Sequence, residues 1–102
     1  MTPLDELRAG LAALPGVKEG QSRFAPRRLA WSVGGREFAH LHADDLLDLR
    51  LPRKIQATLR TDPKAHFRQS KSEWLELEFR TNEDASQLLV LARQAWATAR
   101  NR

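Results

Sequence analysis

Histidines are the side chains best suited to moving protons near neutral pH, and this sequence has three. Two of them, His40 and His42, stand two residues apart in the stretch EFAHLHADDLLDL, residues 37–49. On a strand, residues two apart point to the same side, so both imidazoles could reach one metal ion. A third ligand would have to come from His66, Asp44, Asp45 or Asp48, and none stands at a motif spacing. A His-x-His pair alone is a weak metal signal, so no metal ion is assigned. Proton transfer is the second chemistry open to these residues, because partial burial favours the neutral ring that accepts a proton. The plain alternative is that they are packed residues at the end of a strand.

Other chemistries find less support. Ser22, Ser32, Ser70, Ser72 and Ser86 are present, but none sits in a strand-turn-helix elbow. Cysteine is absent, which excludes disulfides, thiolate metal sites and a cysteine nucleophile. Gly34-Gly35 is followed by no helical pattern, so it suits a turn better than a phosphate cradle.

Charge opens a different reading. The net charge is +4, and 13 of the 17 bases are arginine. Seven bases (Arg50, Arg53, Lys54, Arg60, Lys64, Arg68 and Lys71) face one acid, Asp62, between residues 50 and 71. Such a segment could contact phosphates, with Phe67 or Trp74 stacking on bases. No helix-turn-helix, zinc-finger or RNA-recognition signature accompanies it. Binding of nucleic acid or protein through this segment is therefore the second reading, and a small-molecule ligand the first. No apolar run approaches the roughly 18 residues of a membrane span. The N-terminal MTPLDELRAG carries acids where a secretory signal would carry bases. No membrane partner is expected, and the cytoplasm is the expected location.

The elements that must position these residues are legible from pattern. Thr2, Pro3 and Asp5 form a helix start with a capping-box arrangement, and Leu4, Leu7, Leu11 and Leu14 then repeat at helical spacing. Pro15-Gly16 ends that helix. RLAWSV and REFAHLH flank Gly34-Gly35 and predict a hairpin. A tight two-residue turn sets Val33 against Arg36, Trp31 against Phe38, Leu29 against His40 and Arg27 against His42. Directly opposed residues share a face, so both histidines would join Leu29, Trp31, Val33 and Phe38. Ala30, Ser32, Glu37, Ala39 and Leu41 would lie on the other side. An apolar wall with a few polar groups is how small-molecule pockets are built.

LLDLRLP predicts a third strand, PRKIQATLR a short helix, KAHFRQ a fourth strand and EWLELEFR a fifth. Trp74, Glu76 and Glu78 would share one face of the fifth. A last helix starts near Thr81 or Asn82, burying Ala85, Leu88, Leu89, Ala92, Trp96 and Ala99. Residues 1–102 thus predict one α+β domain. It is a two-layer sandwich: an antiparallel sheet of about five strands with N- and C-terminal helices and a short middle helix.

In GREFAHLH, DLRLP, AHF and SEWLELEFRTNEDASQLLVLARQAW, the sequence resembles the small bacterial luciferase-domain family. That family is named for its similarity to the fungal luciferase that oxidises a hispidin-type luciferin. The resemblance is strongest at Arg36-Glu37-x-Ala39-His40-x-His42, at His66 and at Glu73-Trp74. The fold is also similar to that of YjbR/MmcQ-like proteins. The resemblance implies a site for a small planar or enolic ligand, and a cofactor-free oxygenase as the activity. It implies His40, His42 and His66 as catalytic candidates, Arg36 as partner of a ligand anion and Trp74 as a wall of the site, to which the hairpin register adds Trp31 and Phe38 as ligand-binding candidates. It implies no cofactor.

Overall fold

A computed structural model describes residues 1–24, 27–68 and 72–102. Ser70, Lys71 and the Gln69 end of the expected fourth strand lie outside the described residues. The chain runs α1 (Pro3–Ala12), β1 (Val17–Gln21), β2 (Leu29–Val33), β3 (Arg36–Ala43), β4 (Leu46–Arg50), α2 (Arg53–Ala57), β5 (Ala65–Phe67), β6 (Trp74–Glu78) and α3 (Asn82–Arg100). Among the described residues, six strands form one sheet in the order β1-β2-β3-β4-β6-β5, every neighbouring pair antiparallel. The α+β layering expected from the sequence is therefore present, with one strand more than expected.

Both long helices begin as the sequence predicts. Thr2 Oγ1 accepts from Asp5 N at 3.1 Å while the Asp5 carboxylate accepts from Thr2 N at 3.2 Å. Thr81 and Asp84 repeat this reciprocal cap at the start of α3. Each box satisfies two backbone donors that a helix end leaves without partners. Between β2 and β3, Gly34 and Gly35 take φ of +59° and +77°, as a primed hairpin turn requires.

The helices cover one face of the sheet. Leu7 and Leu11 of α1 and Ala85, Leu88, Ala92, Ala95 and Ala99 of α3 pack on Trp31, Phe38, Ala39, Leu47, Leu49, Leu75 and Leu77. Leu89 and Trp96 are only partly buried, so the deep stripe of α3 is mainly alanine. Small residues let α3 approach the sheet closely. α1 and α3 also approach each other closely at Gly10, where an added Cβ would come within 2.4 Å of Leu89 Cδ1. Among the described residues, no helix is long and apolar enough to cross a membrane.

Two irregularities in β3 decide what the other face carries. Trp31 pairs with Ala39, but the next residue, Ser32, pairs with Glu37, so Phe38 is an extra residue in β3. Further on, Leu41 pairs with Leu47 and Ala43 with Leu46, so His42 is a second extra residue. Such bulges bend a strand and re-aim its side chains.

The hairpin register predicted above is corrected by the first bulge. His40 opposes Ala30 rather than Leu29, and Trp31 opposes Ala39 rather than Phe38. A one-residue slip exchanges the two faces of a strand. Trp31 and Phe38, both fully buried, therefore face the helices, while His40 faces away from them.

A candidate proton-sharing site on the open face

Direct pairings across all six strands place one row of residues on the face away from the helices. The row reads Gly20, Ala30, His40, Asp48, Glu76 and His66. Its central members are buried although, among the described residues, no helix covers them: His40 is 4% exposed and Asp48 0%. Two aromatic rings, Trp74 of β6 and Phe24 of the loop after β1, supply part of that cover. The Trp74 ring centroid lies 4.5 Å from that of His40, and Phe24 lies 5.3 Å from Trp74 and 6.4 Å from His40.

His40 is held at both ring nitrogens by carboxylates. Nδ1 lies 2.9 Å from Glu37 Oε2, and Nε2 lies 2.8 Å from Asp48 Oδ2. A neutral imidazole donates from one nitrogen only; the Nδ1 contact with Glu37 is a hydrogen bond, and the Nε2 contact with Asp48 is a close ion-pair approach. Glu37 is fixed from its far side, accepting from Ser22 Oγ at 2.6 Å and Arg23 N at 2.9 Å. Asp48 is fixed by Arg68, whose Nη2 donates to Oδ2 at 2.7 Å and lies 3.9 Å from Glu76 Oε2. His42 Nδ1 lies 3.7 Å from the same Asp48 oxygen. The result is a carboxylate–imidazole–carboxylate chain, Glu37–His40–Asp48, running across the buried centre of an otherwise open face.

The chain has an outlet at one end. Glu37 lines a cleft of about 120 Å³ with Lys18, Gly20, Arg23, Ala30 and Ser32. Gly20 and Ala30 stand in the His40 row, and a Cβ added at Gly20 would meet nothing within 4 Å. At the opposite end of the row, His66 is hydrogen-bonded to Glu78 and holds that carboxyl below its ordinary value. His66 and His40 stand three strand spacings apart, on the order of 14 Å.

The residues singled out from the sequence are thus divided by the sheet. His40, His42, His66 and Trp74 share the open face, with His40 and Trp74 in contact. Arg36 opposes Val33, and its Nη1 donates to Ala99 O at 3.4 Å, beside the end of α3. Trp31 and Phe38 belong to the core between sheet and helices. Glu37, Asp48, Arg68 and Phe24 join the site without having been put forward as site residues, apart from Asp48 as an optional metal ligand. Asp48 did carry a signal: it is a lone acid within LLDLRL, in a strand with neighbours on both sides. Glu37 carried none, because the bulge that turns it towards His40 has no sequence signature of its own.

Residues 35–95, more than half of the 102, match the luciferase domain family. The chain belongs to that family. No match is found among curated proteins or solved structures. The part of the luciferase domain matched here contains Glu37, His40, His42, Asp48, His66, Arg68, Trp74 and Glu76. Ser22, Arg23 and Phe24, which close over this row, lie before it.

Proposed function

We propose that this luciferase-domain protein binds a small planar or enolic ligand on the open face of its sheet. The ligand stacks beside Trp74 and Phe24, and the Glu37–His40–Asp48 chain exchanges its acidic proton. The observation that carries this is the buried imidazole of His40, bridged at both nitrogens by carboxylates and packed on an aromatic ring. Such a chain takes a proton at one end and releases one at the other without moving a heavy atom far. Family likeness to the fungal luciferase gives the finer form of the proposal, a cofactor-free oxygenase. There the enol loses its O–H proton to the chain, the enolate carbon forms a bond to dioxygen, and the returned proton completes a hydroperoxide.

A screen of hydroxypyrones and related planar enols by thermal shift tests it. Ligand at a hundred times its Kd stabilises the native state by about 2.7 kcal/mol, and the shift is expected to shrink in Trp74→Ala and His40→Gln. Oxygen uptake with the best binder reads the oxygenase step. If no planar enol raises the melting temperature, or if Trp74→Ala leaves the shift unchanged, the proposal fails.

The second reading, nucleic acid or protein on the basic 50–71 segment, draws on exposed Arg53, Lys54 and Arg60. Three other bases of that segment are already paired with acids: Arg50 with Glu73, Lys64 with Asp84, and Arg68 with Asp48. That pairing leaves less free charge for phosphates, and the ligand reading is preferred.

A further inference from the structure

We infer that His42, Asp48 and Glu76 form a binding site for a divalent first-row transition-metal ion. Asp48 and Glu76 are directly opposed on β4 and β6, and His42 is thrown out of β3 beside them by the second bulge. One ligand atom from each lies within 4.8 Å of the other two. Ligands of one zinc ion, bound at about 2.0–2.2 Å, stand roughly 3–4 Å from each other. His42 Nδ1 already stands 3.7 Å from Asp48 Oδ2, within that range.

Asp48 itself points to a missing partner. Its side chain is completely buried, and among the described residues Oδ1 has no hydrogen-bond partner, while Oδ2 lies against both His40 and Arg68. A buried carboxylate oxygen left unpaired is costly and calls for a reason. An ion held by both oxygens of the Asp48 carboxylate would satisfy it. The site also draws positive charge within the chain itself. The Arg68 guanidinium reaches both carboxylates from a side chain that is 40% exposed.

The donor set selects the ion. One imidazole and two carboxylates suit zinc, manganese or iron(II) better than soft copper(I). Behind the ligands, His40 Nε2 stands 2.8 Å from the Asp48 carboxylate and Glu37 is hydrogen-bonded to His40, the kind of outer support that fixes ligating groups. Three protein ligands leave a coordination position open to water. This trio differs from the His40–His42 pair that the sequence suggests, because His40 spends both nitrogens on carboxylates.

The competing guanidinium gives the test its signature. The tag-free full chain, stripped with chelator, is titrated with Zn²⁺ and with Mn²⁺ by calorimetry. One equivalent of at least one ion is expected to bind. His42→Ala and Glu76→Gln should each weaken it by roughly tenfold or more, Arg68→Ala should tighten it, and His66→Ala should leave it unchanged. Thermal melts establish that each variant is folded. The inference is overturned by no stoichiometric binding of either ion. It is equally overturned by binding indifferent to His42 and Glu76, weakened by Arg68→Ala, or abolished by His66→Ala.

Discussion

Glu37 and His40 lie three residues apart on one strand, yet both project from the same face of the sheet and meet at 2.9 Å. A regular strand would place them on opposite faces. Phe38 is the cause: as an extra residue in β3 it resets the alternation, so that Phe38 and Ala39 both enter the core. One insertion thus supplies the core with a large ring and the open face with a carboxylate–imidazole contact.

Removing that carboxylate should be costly. Glu37→Ala strips the partner from Ser22 Oγ and His40 Nδ1, both buried, and from the part-buried Arg23 N. Breaking a buried charged pair by deleting one partner typically costs about 3–5 kcal/mol. Urea unfolding of Glu37→Ala is expected to show a loss of that size. A loss under about 1 kcal/mol would mean that the chain contributes little to holding this face together.

The same bulge marks where sequence reasoning stops. Capping residues, the Gly34-Gly35 turn and the alternating leucines of β4 and β6 announce their elements because each is a local requirement. Strand β1, VKEGQ, does not: it is an exposed edge strand with no apolar alternation to read. The face occupied by His40 is set by pairing between β2 and β3, and a one-residue slip inverts it. Asp48 was visible as an acid in an apolar strand, but its partners come from β3 and from beyond β5. Those contacts depend on strand order, which spacing along the chain does not encode.

Acid should weaken the start of α3. The Lys64 ammonium beside Asp84, together with the backbone N–H groups of Arg80 and Thr81, holds its carboxyl down to about 2 from an ordinary 3.8. A folded value below the unfolded one stabilises the protein above the unfolded value, and that contribution is lost as pH falls from about 3.8 to about 2. Thermal melts from pH 6 to pH 2 are expected to show a steeper fall below pH 4 in the wild type than in Asp84→Asn. Equal slopes would show that Asp84 is not among the groups driving acid unfolding.

The hairpin turn offers a test in which packing plays no part. Gly35 sits at φ +77°, and a Cβ added there would meet nothing within 4 Å. Gly35→Ala therefore isolates the cost of the left-handed backbone, roughly 1–2 kcal/mol for a residue with a Cβ. Gly35→Asn should cost less, since its side chain tolerates that region. Urea midpoints with unchanged slopes would check the ordering, and Ala equal to Gly would contradict the turn geometry.

Gly10 makes the opposite case, because there space decides. Alanine has the higher helix propensity, by roughly 0.8–1.0 kcal/mol in an interior position of a helix. Against this, its Cβ would fall 2.4 Å from Leu89 Cδ1, 2.6 Å from Cδ2 and 3.0 Å from Cγ, where α1 crosses α3. With Cγ as well as both methyls in the way, rotating a methyl does not relieve the clash, and overpacking of this kind costs typically about 1–3 kcal/mol. Gly10→Ala alone is therefore expected to destabilise by about 1 kcal/mol. In a Leu89→Ala background the obstacle is gone, and the same substitution should turn neutral or stabilising as propensity takes over. A double-mutant cycle by urea unfolding measures the coupling, expected at about 1–2 kcal/mol. Additive effects would place the two helices further apart than this packing requires.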